Sequence, residues 1–115
     1  MPTTIYKICE AAIWREAERG GVFPGARVDK RDGFIHFSTA GQVRETAAKH
    51  FAGATNLMLV AVDADALAGA LKWEVSRGGD LFPHLYGDLP LAAVLWARPL
   101  ALGHDQRHVF PDLEP

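Results

Sequence analysis

The stretch DGFIHFST, residues 32–39, carries the clearest structural signal in the chain. Its apolar residues at 34, 35 and 37 favour a β-strand, and the Asp-Gly pair before them marks a turn. Strand alternation puts His36 and Ser38 on one face and Phe37 on the other. Ser38 or Thr39 would then cap a helix that follows. This pattern is typical either of a functional site at the end of a strand or of a half-buried structural histidine beside an N-cap.

Strands and helices alternate along the rest of the chain, with no internal repeat and no Gly-rich phosphate-binding loop. Apolar spacing predicts strands near residues 4–8, 56–62, 71–75 and 92–97, and helices near residues 10–19, 41–51 and 66–69. We expect loops at residues 22–31 and 74–88, and we expect Pro99 to end the last strand before a polar C-terminal tail over about residues 100–115. This order of elements predicts one α+β domain that spans residues 1–115.

Composition and charge narrow the class of protein. With 115 residues, 49% hydrophobic and 23% charged, the chain has the balance of a globular domain. Its net charge of −2 supplies no basic field for broad binding of nucleic acid, although a few arginines suffice to hold one phosphorylated ligand. The single cysteine, Cys9, forms no intrachain disulfide, and we expect it in the core. Since no signal-peptide pattern and no membrane-length apolar run is present, the sequence predicts a cytoplasmic protein.

A second polar cluster lies in the predicted loop over residues 74–88. Arg77 suits a phosphate or a carboxylate, and Phe82 and Tyr86 offer stacking surfaces. His84 stands between these two aromatic residues and adds an imidazole. The alternative is an ordinary connection whose aromatic side chains fill the core beneath it.

Four segments together resemble the bacterial domain-of-unknown-function family 952: IYKI at residues 5–8, Trp14, DGFIHFS at residues 32–38 and FPHLYG at residues 82–87. The resemblance covers roughly residues 4–99. That family is grouped by remote similarity with the ADP-ribosyltransferase superfamily. The resemblance therefore implies a split two-sheet α+β fold with flanking helices, in which a nicotinamide dinucleotide lies in the cleft between the sheets.

The same resemblance implies roles for several residues. His36 would hold a ribose hydroxyl, Ser38 would bind the nicotinamide amide, and Tyr86 would stack on the ligand. The superfamily places its catalytic Glu on a late strand, but residues 92–97 contain none, so Glu74 is the nearest candidate carboxylate. We thus expect His36, Ser38 and Glu74 as catalytic residues. The expected ligand-binding residues are Arg77, Phe82, His84 and Tyr86.

These observations predict a protein that binds a nucleotide-like or phosphorylated small ligand, with NAD as a candidate cofactor. NAD-dependent ADP-ribosyl transfer or 2′-phosphate transfer are the activities that the resemblance implies, and whether the protein is an enzyme stays open. The 2′-phosphotransferase branch of the superfamily uses basic residues in place of the Glu. The candidates for that role are Arg27, Arg31, Arg44, Arg77 and Arg98.

Two other classes of function stay open on the sequence. A metal-dependent hydrolase could use His36, His84 and Asp80, although no compact ligand cluster predicts a bound metal. A non-catalytic interaction domain could present its tryptophans to a partner, but Trp14, Trp73 and Trp96 each fall in an apolar pattern that favours the core.

Overall fold

The computed structural model describes residues 3–115, apart from the side chain of Arg77. The α-helices cover Ala11–Gly20 (α1), Arg27–Asp32 (α2) and Val43–His50 (α3). The strands cover Thr4–Glu10 (β1), Val22–Phe23 (β2), Ile35–His36 (β3), Ser38–Thr39 (β4), Leu57–Asp63 (β5), Leu71–Val75 (β6), Leu81–Leu85 (β7), Leu89–Pro90 (β8), Val94–Leu102 (β9) and His108–Val109 (β10). Short 3-10 segments cover Ala64–Ala70, Arg77–Gly79 and Leu91–Ala93. In this described part of the chain, no helix is both long and apolar enough to cross a membrane.

The strands form three antiparallel sheets. The large sheet has the order β10-β9-β5-β1-β4, a second sheet has the order β3-β7-β6, and β2 pairs with β8. Antiparallel sheets with helices packed against them confirm the predicted α+β class.

The central strands β1 and β5 of the large sheet are buried on both faces, and most of their residues are apolar. One face packs against α1 and the β3-β7-β6 sheet, through a cluster that includes Ile5, Val60, Trp14, Ile35 and Leu85. The other face packs against α3, through a cluster that includes Tyr6, Leu59, Val43 and Ala47. Two cores therefore share one central sheet.

The stretch at residues 32–39 connects the two larger sheets. Its predicted strand is split: β3 pairs with β7, and β4, two residues later, pairs with β1. The Phe37 backbone N–H donates to the Pro83 carbonyl at 3.0 Å. Because proline has no N–H to donate in return, the ladder between β3 and β7 stops there and the chain crosses to the large sheet. The break in the strand thus follows from a residue far away in the sequence.

Two predicted loops contain regular structure. Residues 22–31 include β2 and most of α2, whose helical signals are Asp29 in the first turn, basic residues in the last turn and Gly33 after its end. Residues 74–88 include all of β7, in which Pro83 is opposite Trp73 of β6. The predicted N-cap is wrong: α3 begins at Val43, so Ser38 and Thr39 lie outside the helix.

The C-terminal region is also more ordered than predicted. β9 runs through Pro99, because β10 pairs with β9 only at Ala101 and Leu102 and leaves an edge where the missing N–H is tolerated. The predicted polar tail over residues 100–115 is wrong, because Phe110 and Leu113 pack on the core beside α3. The Tyr6 hydroxyl donates to the Glu114 carbonyl at 2.7 Å, so this segment lies against the large sheet.

Cys9 occupies a core position in β1, as predicted, with only 2% of its surface exposed. Burial is the main reason why the pKa of its thiol is raised to about 11, against a smaller lowering by the Lys7 charge. The thiol is therefore protonated and inaccessible in the folded protein.

Candidate functional site

A cleft of about 650 Å³ lies between the β3-β7-β6 sheet and the β1-β4 edge of the large sheet, with residues of α2 and α3 on its rims. Its polar lining includes Lys7, Arg31, Asp32, His36, His50 and His84. This volume is in the range of small-molecule sites, roughly 300–1,000 Å³. The cleft is thus a candidate ligand site with more basic than acidic side chains.

A buried carboxylate organises one wall of the cleft. Asp29 is 2% exposed and accepts hydrogen bonds from the Ala26 backbone N–H at 2.8 Å and the His36 backbone N–H at 3.1 Å. The His36 ring nitrogen Nδ1 lies 2.7 Å from Asp29 Oδ1. Burial alone would raise the pKa of Asp29, but the His36 hydrogen bond and the Lys7 charge outweigh it and lower the pKa to about 2. Asp29 is therefore ionised, and both of its carboxylate oxygens accept hydrogen bonds.

Lys7 supplies the matching buried charge. Its Nζ lies 2.8 Å from both carboxylate oxygens of Asp29, and only 5% of Lys7 is exposed. Strand alternation on β1 places it on the same face as Ile5 and Cys9, inside an apolar cluster. Asp29 was not among the predicted site residues. A lone lysine in a strand of buried residues is a signal for a partnered charge, although it does not specify which acidic residue is the partner.

His36 is held between two carboxylates. Its Nδ1 faces Asp29, and its Nε2 lies 3.0 Å from Oδ2 of Asp32, one turn earlier. Because a carboxylate only accepts hydrogen bonds, both contacts form together when the ring carries a proton on each nitrogen. The Asp32 carboxylate also accepts from Arg31 Nε at 3.0 Å, and this hydrogen bond is the main reason why the pKa of Asp32 is lowered.

A second oriented imidazole stands directly across the sheet. His84 of β7 pairs in register with His36 of β3, and the two ring centroids are 5.5 Å apart. The His84 Nδ1 lies 2.9 Å from Glu74 Oε1, which also accepts the Tyr86 hydroxyl at 2.7 Å. The Tyr86 hydrogen bond is the largest cause of a lowered Glu74 pKa, and the same bond raises the pKa of Tyr86. Phe34 packs on His84, with the ring centroids 4.2 Å apart.

The structure brings some of the sequence-predicted site residues into the cleft and leaves others outside. His36, Ser38, Phe82 and His84 line it. The Ser38 hydroxyl is buried and lies 2.9 Å from the Thr46 hydroxyl, so it is engaged with α3.

Glu74 and Tyr86 are connected to the cleft through His84, by the hydrogen bonds given above. Arg77 was predicted as a ligand-binding residue, but its side chain lies outside the described part of the structure.

The proposed metal ligands His36, His84 and Asp80 do not form a metal site. Across the described residues, no group of three or more His, Cys, Asp or Glu side chains is arranged to hold a metal ion. Asp80 is exposed in the turn before β7. The described residues therefore do not supply the donor set that was predicted for a metal-dependent hydrolase.

The candidate arginines and tryptophans are dispersed. Arg31 lies at the cleft, whereas Arg44 stacks over Phe110 and Arg98 stacks over Trp96. Trp14 is buried, and Trp73, predicted to be in the core, is 42% exposed on β6, an edge strand of its sheet.

Comparison with solved structures finds close relatives. The X-ray crystal structure of protein CC0527 from Caulobacter crescentus is 48% identical in sequence, over 93% of this chain and 94% of that chain, with a TM-score of 0.89. The solution NMR structure of CC0527 is 49% identical, over 90% of each chain, with a TM-score of 0.82. No curated protein matches the chain. The family model described as protein of unknown function (DUF952) matches residues 8–97, and the chain therefore belongs to this family.

Proposed function

We propose that the cleft binds a small phosphorylated ligand of the nucleotide class. One observation carries the proposal: the Asp32 carboxylate accepts hydrogen bonds from Arg31 Nε and His36 Nε2, each at 3.0 Å. These two donors form an anion position at the cleft, which an exposed aspartate of the protein itself fills. A ligand phosphate has the same charge and more acceptor oxygens, so it is suited to replace Asp32 there.

The apolar lining supports a nucleotide-like ligand in particular. Phe37, Phe51 and Phe82 contribute to the cleft walls, and flat aromatic side chains are suited to contact a nucleobase. The remote likeness to ADP-ribosyltransferases is part of this proposal, with NAD and ADP-ribose as the first ligands to test.

Transfer of an ADP-ribosyl group requires a carboxylate near the reacting ribose. Glu74 would have to supply it, and its carboxylate is hydrogen-bonded to His84 and Tyr86. If NAD is consumed at all, we expect Glu74→Gln to abolish its turnover. Binding does not depend on this step, so we propose binding first and transfer only as an extension of it.

The test is a thermal-shift and calorimetric comparison of AMP, NAD and ADP-ribose with adenosine, which lacks the phosphate. A ligand at 100 times its Kd stabilises the folded protein by ~2.7 kcal/mol, which is readily measured. We expect the phosphorylated compounds to raise the Tm and adenosine to leave it unchanged.

Two variants localise the binding. Arg31→Gln should weaken it, and Asp32→Asn should strengthen it because the competing carboxylate is gone. Arg98→Gln is the matched control, since Arg98 stacks on Trp96 of the large sheet and does not line the cleft. Equal Tm shifts for AMP and adenosine, or equal weakening by both arginine substitutions, would refute the proposal.

A further inference from the structure

We propose that the cleft hydrolyses a phosphodiester of the nucleotide class, with His84 as the general base and His36 as the general acid. This rests on the proposed function, because it assigns a reaction to the phosphorylated ligand. It uses neither a metal ion nor the ADP-ribosyl chemistry considered above.

The two imidazoles have the geometry of an acid-base pair. They lie directly opposite each other on β3 and β7, both line the cleft, and their ring centroids are 5.5 Å apart. At this separation both rings can reach oxygens of one phosphate group. Each ring is also fixed through Nδ1 by a carboxylate, Asp29 for His36 and Glu74 for His84. A carboxylate on Nδ1 sets the orientation and the tautomer of a histidine that acts through Nε2.

The neighbours of each ring assign the roles. His84 faces a single carboxylate, that of Glu74 at Nδ1, an arrangement that suits the tautomer with its hydrogen on Nδ1 and a lone pair on Nε2. His36 faces a carboxylate at each ring nitrogen, an arrangement that suits the form of the ring that donates from both nitrogens. His84 is therefore the ring that can accept a proton, and His36 is the ring that can give one.

The reaction follows from this placement of the carboxylates around the two rings. A ligand phosphate displaces Asp32 from Arg31 and His36. The His84 Nε2 then takes a proton from water while the water oxygen bonds to phosphorus. The bond from phosphorus to the leaving oxygen breaks, and the Nε2 proton of His36 passes to that oxygen. The products are a phosphomonoester and an alcohol, and proton exchange with solvent restores both rings.

Two substrates distinguish the role of the general acid from that of the general base. The leaving oxygen of 2′,3′-cyclic AMP is an alkoxide that needs a proton, whereas bis(4-nitrophenyl) phosphate releases a stable phenolate that does not. We expect His84→Asn to lower kcat/KM on both substrates by about 100-fold or more. His36→Asn should lower it by about 100-fold on 2′,3′-cyclic AMP and by less than about 10-fold on bis(4-nitrophenyl) phosphate.

The asparagine variants keep an amide N–H that can donate to Glu74 or Asp29, which favours retention of the fold. His104→Ala is the matched control because His104 is exposed in the turn after β9, outside the cleft. It should keep the parent activity. Circular dichroism and the Tm check each variant for folding, and His36→Gln and His84→Gln serve if an asparagine variant is unfolded.

The outcomes distinguish this inference from the function on which it rests. If AMP binds to the parent protein but neither diester is hydrolysed, the catalytic inference is wrong and the binding proposal stands. If AMP does not bind and no diester is hydrolysed, both are wrong. Hydrolysis that both histidine variants retain at the parent rate also overturns the assignment, as does a loss in His36→Asn that is equal on the two substrates.

Discussion

Asp29 is the residue on which the geometry of the cleft depends most. It pairs with Lys7, fixes the His36 ring and accepts the backbone N–H groups of Ala26 and His36, so that it connects β1, the start of α2 and β3. The carboxylate is buried, so no water replaces it when it is removed.

We predict that Asp29→Asn lowers the free energy of unfolding by roughly 3–5 kcal/mol at pH 7, because it leaves the buried charge of Lys7 without a partner. Urea unfolding followed by tryptophan fluorescence measures this. Asp32→Asn is the control: it removes a carboxylate that is 32% exposed and should change stability by less than about 1 kcal/mol. Similar losses in the two variants would contradict the assigned role of Asp29.

The difference in free energy of unfolding between the parent and Asp29→Asn depends on pH. The pKa of Asp29 is about 2 in the folded protein, below its ordinary value of 3.8. A lowered pKa means that the carboxylate contributes stability above about pH 4 and loses it as the pH falls towards 2, a change of roughly 2 kcal/mol. The difference in stability between the parent and Asp29→Asn should therefore narrow between pH 4 and pH 2. A constant difference over this interval would show that the charge of Asp29 is not what stabilises the fold.

At this scale the sequence pointed to His36 but not to its partners. Strand alternation alone placed the histidine on a polar face, since that rule needs only neighbouring residues. The bond between Lys7 and Asp29 joins residues 22 positions apart, and no local pattern specifies such a pair. Ser38 lines the same cleft as His36, but its hydroxyl lies against the hydroxyl of Thr46 in α3.

At the scale of elements, the short helix α2 is positioned by the turn that precedes it. Gly25 has φ of 109°, and a Cβ at this position would lie 2.9 Å from the Cβ of Asp29. Both the left-handed backbone and the close approach require glycine. The turn at Gly25 thus fixes where α2 presents Asp29 to Lys7 and His36.

We predict that Gly25→Ala lowers the free energy of unfolding by about 1–3 kcal/mol and weakens binding in the cleft, because α2 must shift. Gly20→Ala is the matched control, since a Cβ at this last residue of α1 meets nothing within 4 Å. That substitution should be neutral or stabilise by up to about 1 kcal/mol. Urea unfolding measures both effects, and equal effects of the two substitutions would argue against the close packing at Gly25.

Local patterns predicted most strands and helices in the right place, but they did not predict how the chain breaks and pairs. β6 has the predicted range, residues 71–75, because its composition and its turns are local signals. The split between β3 and β4 depends on Pro83, which lies more than forty residues later in the chain. Sheet pairing is a property of distant partners, so a single strand pattern does not reveal it.

For the molecule as a whole, the two cores on either face of the large sheet explain why the C-terminal segment is ordered. α3 covers part of the face that carries Tyr6, and Phe110 and Leu113 pack on the same face. Residues 103–115 contain only Val109, Phe110 and Leu113 as large hydrophobic residues, which is why composition predicted a tail.

Because Cys9 is buried, the rate at which the chain's single thiol reacts reports how often the central strand β1 separates from its neighbours. β1 is hydrogen-bonded between β5 and β4, so a reagent meets the sulfur only after these strands separate. We predict that Ellman's reagent labels the folded protein at pH 8 orders of magnitude more slowly than the urea-unfolded chain, since the pKa of about 11 leaves little thiolate and burial blocks access. The labelling rate should rise in Asp29→Asn as that variant loses stability. Labelling of the parent as fast as a free thiol would mean that β1 separates from its neighbours in the native state.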